Sequence, residues 1–428
     1  YPVWEDVVYV LVYDTEEGSV TVANESISLL YGETATLDVP TKTGYEFLGW
    51  MINRNGKEVL LTYSDGTLLL PWSYNDATEF NVYASWKAKE GIIVNLYFNQ
   101  SELYKTVTVT YGEDFLFPYD VSEMSEEWAN KAEFFCGWYE AFDIVTQTGG
   151  GRRFTDETGA GLFPWDIDPY SGEMYIYAQF PLEISDGTQL EELDLSELSR
   201  SFVLVNDITV TKPIGSKIAP YSGIFNGNGY TVTFDYTVSA ETLATDYDGY
   251  VGLFAYNKGT VKNFVLKANI TVEDLPADIA AHELCVGAVA GKNEGVITGC
   301  VTAKDGSAYD VYATVNVNVP RGKVTSAHIG SYVGYNAGGT VENVALKTEG
   351  FTIAIDGVPY EEAPNRDGIY CGVLCGTYDG GLIASSESCT YVYYNDNDPF
   401  SSAKCGQNIE GEEINVLLTA VKGNQPTE

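Results

Sequence analysis

The chain has 428 residues, enough for roughly three domains with a buried core in each. Its formal net charge of −38 repels phosphate backbones and anionic lipid surfaces, which argues against nucleic acid and membrane insertion. The acidity does not mean disorder, because 45% of the residues are hydrophobic and 13% aromatic; 32 Tyr and 43 Gly point instead to strands and tight turns.

No run approaches the ~18 apolar residues that would span a bilayer. The opening Tyr1-Pro2-Val3-Trp4 reads as the start of an excised mature fragment, and Gly423-Asn424-Gln425-Pro426-Thr427-Glu428 as the beginning of a linker. Seven cysteines are too few for a disulfide scaffold at this length, and the odd number leaves at least one unpaired within the chain. The two histidines, His282 and His328, leave little for metal or acid–base chemistry, and both are expected at the surface, on or beside inserts.

An internal repeat comes first in chain order. Residues 31–50 read YGETATLDVPTKTGYEFLGW, and residues 111–138 start YGEDFLFPYD and end AEFFCGWY. The anchors are Tyr31 and Tyr111, Gly49 and Gly137, and Trp50 and Trp138. Each copy goes on to a Pro-Trp pair, Pro71-Trp72 and Pro164-Trp165. Each closes on an alternating strand, Val82–Trp86 and Ile176–Phe180. The second copy reads as the first with loop insertions, one of them at Gly149–Arg153. Around Trp50, Tyr45, Phe47 and Gly49 alternate with Glu46, Leu48 and Trp50, so both faces carry apolar groups, as in a strand covered on both sides.

This pattern, Tyr-Gly-Glu followed by Gly-Tyr-x-Phe-x-Gly-Trp and Val-Tyr-Ala-x-Trp, resembles the Listeria–Bacteroides repeat, also called the internalin-type B-repeat. The first copy matches closely. The second departs from it at Ala132-Glu133-Phe134-Phe135-Cys136. The resemblance implies small β-grasp-like modules used in tandem on bacterial surface proteins, here residues 1–89 and 90–182.

Residues 183–200 change character. Thr188-Gln189-Leu190-Glu191 reads as a capping box, and Leu190, Leu193, Leu195 and Leu198 continue at helical spacing, which predicts one helix over 188–199. A second repeat family follows: VGLFAYNKGTVKNF (251–264), VGAVAGKNEGVITGC (286–300), IGSYVGYNAGGTVENV (329–344) and CGVLCGTYDGGLIASS (371–386). They align on Asn257, Asn293, Asn336 and Tyr378, at a period of roughly 40 residues. Ala255, Gly291, Gly334 and Gly376 stand two positions before. Gly259, Gly295, Gly338 and Gly380 stand two after.

These segments resemble the GLUG motif, and the region's opening resembles the capped start of the bacterial parallel β-helices that carry it. The physical logic is a solenoid in which each repeat supplies strand, corner and strand. Glycines are expected to take positive φ at the corners. The three asparagines are expected to bond neighbouring backbone there. Phe254, Ala290, Val333 and Cys375 are expected to stack as one apolar column, with Phe264, Cys300 and Val344 as a second. The 188–199 helix would cover the open first coil. Acidic inserts at 239–250, 273–284, 303–327 and 353–369 are expected on one side, as a binding face. The fold expectation is all-β with small α content: two β-grasp-like modules, then a capped right-handed parallel β-helix over 183–428.

No catalytic or metal-binding set assembles from the sequence. Arg321-Gly322-Lys323 matches one piece of a polygalacturonase signature, but the solenoid has no Asp-Asp pair and no Gly-His-Gly, so a turn after Pro320 accounts for it. Tyr394-Asn395-Asp396-Asn397-Asp398 spaces oxygen ligands closely but lacks the Gly and distal Glu of a calcium loop, so it reads as a surface turn. Asp246, Asp248 and Glu361-Glu362 read as solvated insert residues. Cys371 and Cys375, taken as one strand, would lie about 13 Å apart, beyond disulfide reach. Cys389 and Cys405 are left as a pairing the residues do not decide. Tyr391, Tyr393 and Tyr394 are the candidate ligand contacts, either stacking on a sugar or protein or covering the end of the solenoid. The expectation is therefore a non-catalytic, monomeric, adhesin-like protein without cofactor or metal, extracellular or on a bacterial surface, whose β-helix binds a host surface or matrix protein or a glycan. The alternative is a secreted polysaccharide-active enzyme or its carbohydrate-binding portion.

Overall fold

Short alternating stretches rich in Val, Ile, Thr and Tyr become strands, and the protein is mostly β. The computed structural model describes residues 6–16, 20–129, 131–144, 148–243, 248–276, 282–299, 303–343, 345–393, 404–409 and 414–422. Among them are several open sheets and two four-residue α-helices, Glu126–Ala129 and Thr188–Glu191. The chain divides into two units, Tyr1–Phe180 and Pro181–Glu428.

The first unit repeats one strand plan twice. The first sheet runs Ser26–Leu30, Val8–Asp14, Glu79–Ala88, Tyr45–Arg54, Lys57–Leu60, and the second runs Leu103–Val109, Ile92–Tyr97, Glu173–Gln179, Gly137–Asp143, Thr148–Arg153. In each, the first long strand pairs parallel with the last one and every other pairing is antiparallel. Each sheet has its own core, around Trp50 and Trp72 in one and Trp138 and Trp165 in the other.

The Gly-Trp anchors show why the copies share residues. Gly49 and Gly137 sit at φ 148° and 117°, and an added Cβ would land on the carbonyl oxygen of Thr62 or Thr155. Those threonines are fully buried, and their hydroxyls accept from the next amide, Trp50 N at 2.8 Å and Trp138 N at 3.0 Å. The expectation that Tyr45–Trp50 is covered on both faces is not met. The register shifts between Phe47 and Gly49, so Leu48 is an unpaired bulge residue and is 45% exposed. The bulge brings Trp50 onto the Phe47 face, where the two rings lie 5.7 Å apart. In the second copy helical turns at Glu126–Ala129, before the divergent stretch, and at Ala132–Phe134, within it, bring Trp128 against Phe98 and Phe135 against Tyr119.

The second unit is a stack of parallel strands in four lines. The long strands Thr231–Val238, Val265–Val272, Val311–Val319 and Leu346–Ile355 pair successively in one line. The short strands Ile224–Asn226, Thr260–Lys262, Val296–Thr298 and Thr340–Glu342 form a second, and Leu382–Tyr393 joins these two lines into one sheet. A third line is Tyr250–Val251, His282–Val286, Val324–Gly330 and Ile369–Gly372. The fourth is Phe254–Asn257, Ala290–Asn293, Val333–Ala337, Cys375–Asp379 and Cys405–Asn408. Phe254, Ala290, Val333 and Cys375 are in register, essentially unexposed, and continued by Cys405. In the second expected column Phe264 is buried, while Cys300 and Val344 lie outside the described residues.

Three local expectations change. The single 188–199 helix is a turn at Thr188–Glu191 and a separate 3-10 turn at Leu195–Glu197. The capping box sits on the second turn, between Asp194 and Glu197, while Thr188 donates back to Asp186. The break lets Leu190 and Leu198 both bury and leaves Leu195 exposed. The 303–327 insert is not a loop, because it contains the long strand Val311–Val319. The true connections leave the long-strand line where Val238, Val272, Val319 and Ile355 end, all at the same end of that sheet. Finally, Cys371 and Cys375 lie on different strands, with the chain turning between them, and both are buried.

Candidate functional site

The repeat asparagines build a ladder inside the second unit. Asn257, Asn293 and Asn336 are fully buried. Asn257 Nδ2 donates to Asn293 Oδ1 at 2.8 Å, and Asn293 Nδ2 donates to Asn336 Oδ1 at 2.8 Å. Asn336 Nδ2 ends the run on the carbonyls of Gly339 and Gly380. Tyrosines stand in register at both ends, Tyr221 beside Asn257 and Tyr378 beside Asn336. The asparagine amides thus bond one another as well as the backbone, a longer-range role than a corner turn requires.

Two of the four glycines after them play a different part from the one expected. Gly259 and Gly295 do not adopt positive φ; an added Cβ on them would land on Gly223 O and Gly259 O. They are small because successive turns stack backbone on backbone. Gly338 does have positive φ, 78°, but faces open space. It is one residue out of phase, and Gly339 takes the stacking position, with Leu382 N donating to its carbonyl. Gly380 likewise takes the expected positive φ, 75°, and Asn263 and Asn343 add left-handed positions at φ 53° and 52°.

Of the candidate ligand contacts, Tyr391 and Tyr393 lie on the strand Leu382–Tyr393, with backbone opposite Ala420 and Lys422, and Tyr394 lies outside the described residues. So do Asp246 and the Asn395–Asp398 turn. Arg321-Gly322-Lys323 is a turn closed by Lys323 N on Pro320 O, and Lys323 Nζ is held by Asp274 at 2.9 Å.

Two clusters appear that the sequence did not single out. One lies where the third and fourth strand lines meet. His328 is expected at the surface but is 6% exposed; its Nδ1 lies 2.6 Å from Thr377 Oγ1, and its ring packs on Tyr335 and Tyr370. The burial follows from its place on Val324–Gly330, directly opposite Cys285 and Tyr370. Tyr250 donates to Glu283 at 2.6 Å, and Glu283 also lies 3.7 Å from His328 Nε2. Lys292 lies over the rings of Tyr256 and Tyr335 and pairs with Glu294 at 3.1 Å. Burial opposes ionisation of Glu294, yet hydrogen bonds from Tyr256, Lys258 and Lys292 outweigh it and hold its carboxyl at about 2. With Tyr250 and His328 closed off and the charges matched internally, this cluster is packing rather than an open site.

Burial, only partly offset by Glu283, pushes the His328 pKa down. The unfolded chain then binds more protons at this position than the folded one, so stability falls as pH drops below about 6.5, the unfolded value. Thermal melts at pH 7 and pH 5 should show this loss in the wild type and a smaller one in His328→Gln. An equal pH dependence in the two proteins would refute it.

The other cluster is the outward face of the long strands. Thr237, Thr271, Asn316 and Thr352 are in register across four strands, and beside them run Asp235, Asn269, Thr314 and Gly350. A third row is Thr233, Lys267, Tyr312 and Lys347. Parallel strands set the rows at steps of about 4.8 Å. Lys267 pairs with Asp305 at 3.2 Å and Lys347 with Glu349 at 3.0 Å. Ser307 hydrogen bonds, with Lys267 beside them, hold the Asp305 carboxyl at about 2, so its pair stays ionised. Tyr312 is half-buried, with Lys347 over its ring. In a protein of net charge −38, this is a broad, nearly neutral face of hydroxyls and amides around Tyr312, whose ring meets that of Tyr309 edge-on at 5.9 Å, with one register shift between the Tyr312 and Thr314 rows. The alternation in Val311–Val319 was the signal for it, hidden because that stretch reads as an insert.

Set against known protein families, curated proteins and solved structures, the chain matches none of them. Among the described residues no helix is long and apolar enough to cross a membrane.

Proposed function

We propose that the chain is a non-catalytic, adhesin-like protein displayed on a bacterial surface or secreted. In this reading residues 1–89 and 90–182 are two β-grasp-like modules of the Listeria–Bacteroides type that serve as a stalk. Residues 183–428 are a right-handed parallel β-helix with GLUG-like repeats that presents the binding surface. The repeated strand plan of the first unit and the in-register asparagine ladder of the second support these assignments.

The observation that carries the binding role is the face of in-register rows around Tyr312. Extended and nearly neutral, it suits a partner that lies along it and offers hydroxyls and flat sugar faces, which favours a neutral glycan within the wider class of host surface or matrix components. Anionic polymers are disfavoured by the −38 charge. Many copies on one cell would multiply a weak single contact.

The test is a glycan and matrix-protein array probed with residues 183–428 and, separately, residues 1–182. Binding should follow 183–428, and Tyr312→Ala should weaken it about tenfold. Binding confined to 1–182 would reverse the roles. Cleavage of any polysaccharide in parallel activity assays would replace this reading with the enzyme.

A further inference from the structure

We infer that Cys375 and Cys405 form a disulfide that staples the last strand of the fourth line to the strand before it. The two residues are directly opposite on the parallel strands Cys375–Asp379 and Cys405–Asn408. Directly opposed residues on neighbouring parallel strands have Cα atoms about 4.8 Å apart, inside the range of roughly 4.4–6.8 Å that a disulfide bridges. Both side chains point into the same apolar column, below Val333. Cys405 Sγ also lies 2.6 Å from Gln407 O and 3.8 Å from Gly376 O. Among the described residues the other buried cysteines of this unit stand opposite no cysteine: Cys285 is opposite Tyr250 and His328, and Cys371 is opposite Ile329. The backbone of Cys389 is opposite Leu418.

The pair is set up for ordered exchange. The neighbouring Cys375 thiol lowers the Cys405 pKa, and Cys405 together with burial raises that of Cys375. Cys405 is half-buried and Cys375 fully buried, so an incoming oxidant meets Cys405 first. The oxidant is a small-molecule or protein disulfide. The Cys405 thiolate attacks one of its sulfurs, forms a mixed disulfide and expels one thiolate. Cys375 gives up its proton and attacks Cys405 Sγ, expelling the second. Two protein thiols thereby lose two electrons and two protons, and the oxidant disulfide becomes two thiols. Among the described residues Cys405–Asn408 is the end strand of its line, paired on one side, and so is the strand most exposed to fraying. The bond closes the loop between the two strands and holds that end in place. Its presence in the native protein rests on the extracellular reading; the pair's capacity to form it does not.

The experiment equilibrates the full chain with oxidised or reduced glutathione. Oxidation should remove two of the seven titratable thiols. Peptide mapping should link Cys375 to Cys405, and the melting temperature of the second unit should rise by about 5–10 °C. Cys405→Ser and Cys375→Ser should each abolish the link and make the two buffers equivalent. A Cys389–Cys405 link, or seven free thiols under oxidising conditions, overturns the inference. The glutathione result is independent of the array result, so loss of the adhesin reading and loss of the disulfide are separately visible.

Discussion

Replacing Gly295 by alanine is expected to cost the second unit about 3 kcal/mol or more, the upper end of overpacking effects. The added methyl would land on Gly259 O, a backbone atom that cannot rotate away. Gly223, Gly259, Gly295 and Gly339 form one line, each with a carbonyl accepting from an amide of the next turn at 2.8–3.1 Å: Thr260, Val296, Thr340 and Leu382. Making room at Gly295 therefore separates two turns and lengthens the hydrogen bonds between them. Gly338→Ala is the matched control. It meets no neighbour, so its cost is the left-handed backbone penalty of about 1–2 kcal/mol. Urea unfolding of the two variants decides the matter. If Gly295→Ala proves as mild as Gly338→Ala, the stacking line is wrongly placed.

Asn293→Ala is expected to cost about 2–4 kcal/mol, because it orphans a buried group on each side. The Asn257 amide loses its 2.8 Å acceptor, and the Asn336 carbonyl loses its 2.8 Å donor. No water replaces them cheaply, since all three positions are fully buried. The loss should appear as a lower denaturation midpoint with glycan-array binding retained in the folded variant, because the ladder faces inward and the Tyr312 face outward. A variant as stable as wild type that no longer bound would make Asn293 a ligand contact instead.

How far this was legible varies with distance along the chain. Alternation is a local signal, and it exposes the strands at Glu79–Ala88 and Glu173–Gln179 directly. The Leu48 bulge is not local. It follows from where the strand Glu79–Ala88 pairs, and it turns an apparent two-faced strand into one with a single covered face. The helix expectation over 188–199 failed for a similar reason. Leucine spacing permits a continuous helix, but Asp194 and Glu197 satisfy each other's backbone amides and start a new turn.

By itself the sequence determined the strand-rich composition, the two repeat families with their separate periods, and the small or amide-bearing residues each repeat must keep. These follow from side-chain chemistry within a few positions. Only the tertiary structure decided which residues meet across turns. It put Gly339 rather than Gly338 on the stacking line, because a one-residue insertion in the third repeat shifts the phase without changing the motif's appearance. It buried His328, placed Cys405 opposite Cys375, and turned an apparent insert into the strand that carries Tyr312. Each of these depends on register between strands roughly 40 residues apart, and register is set by the summed packing of whole strands rather than by any one residue.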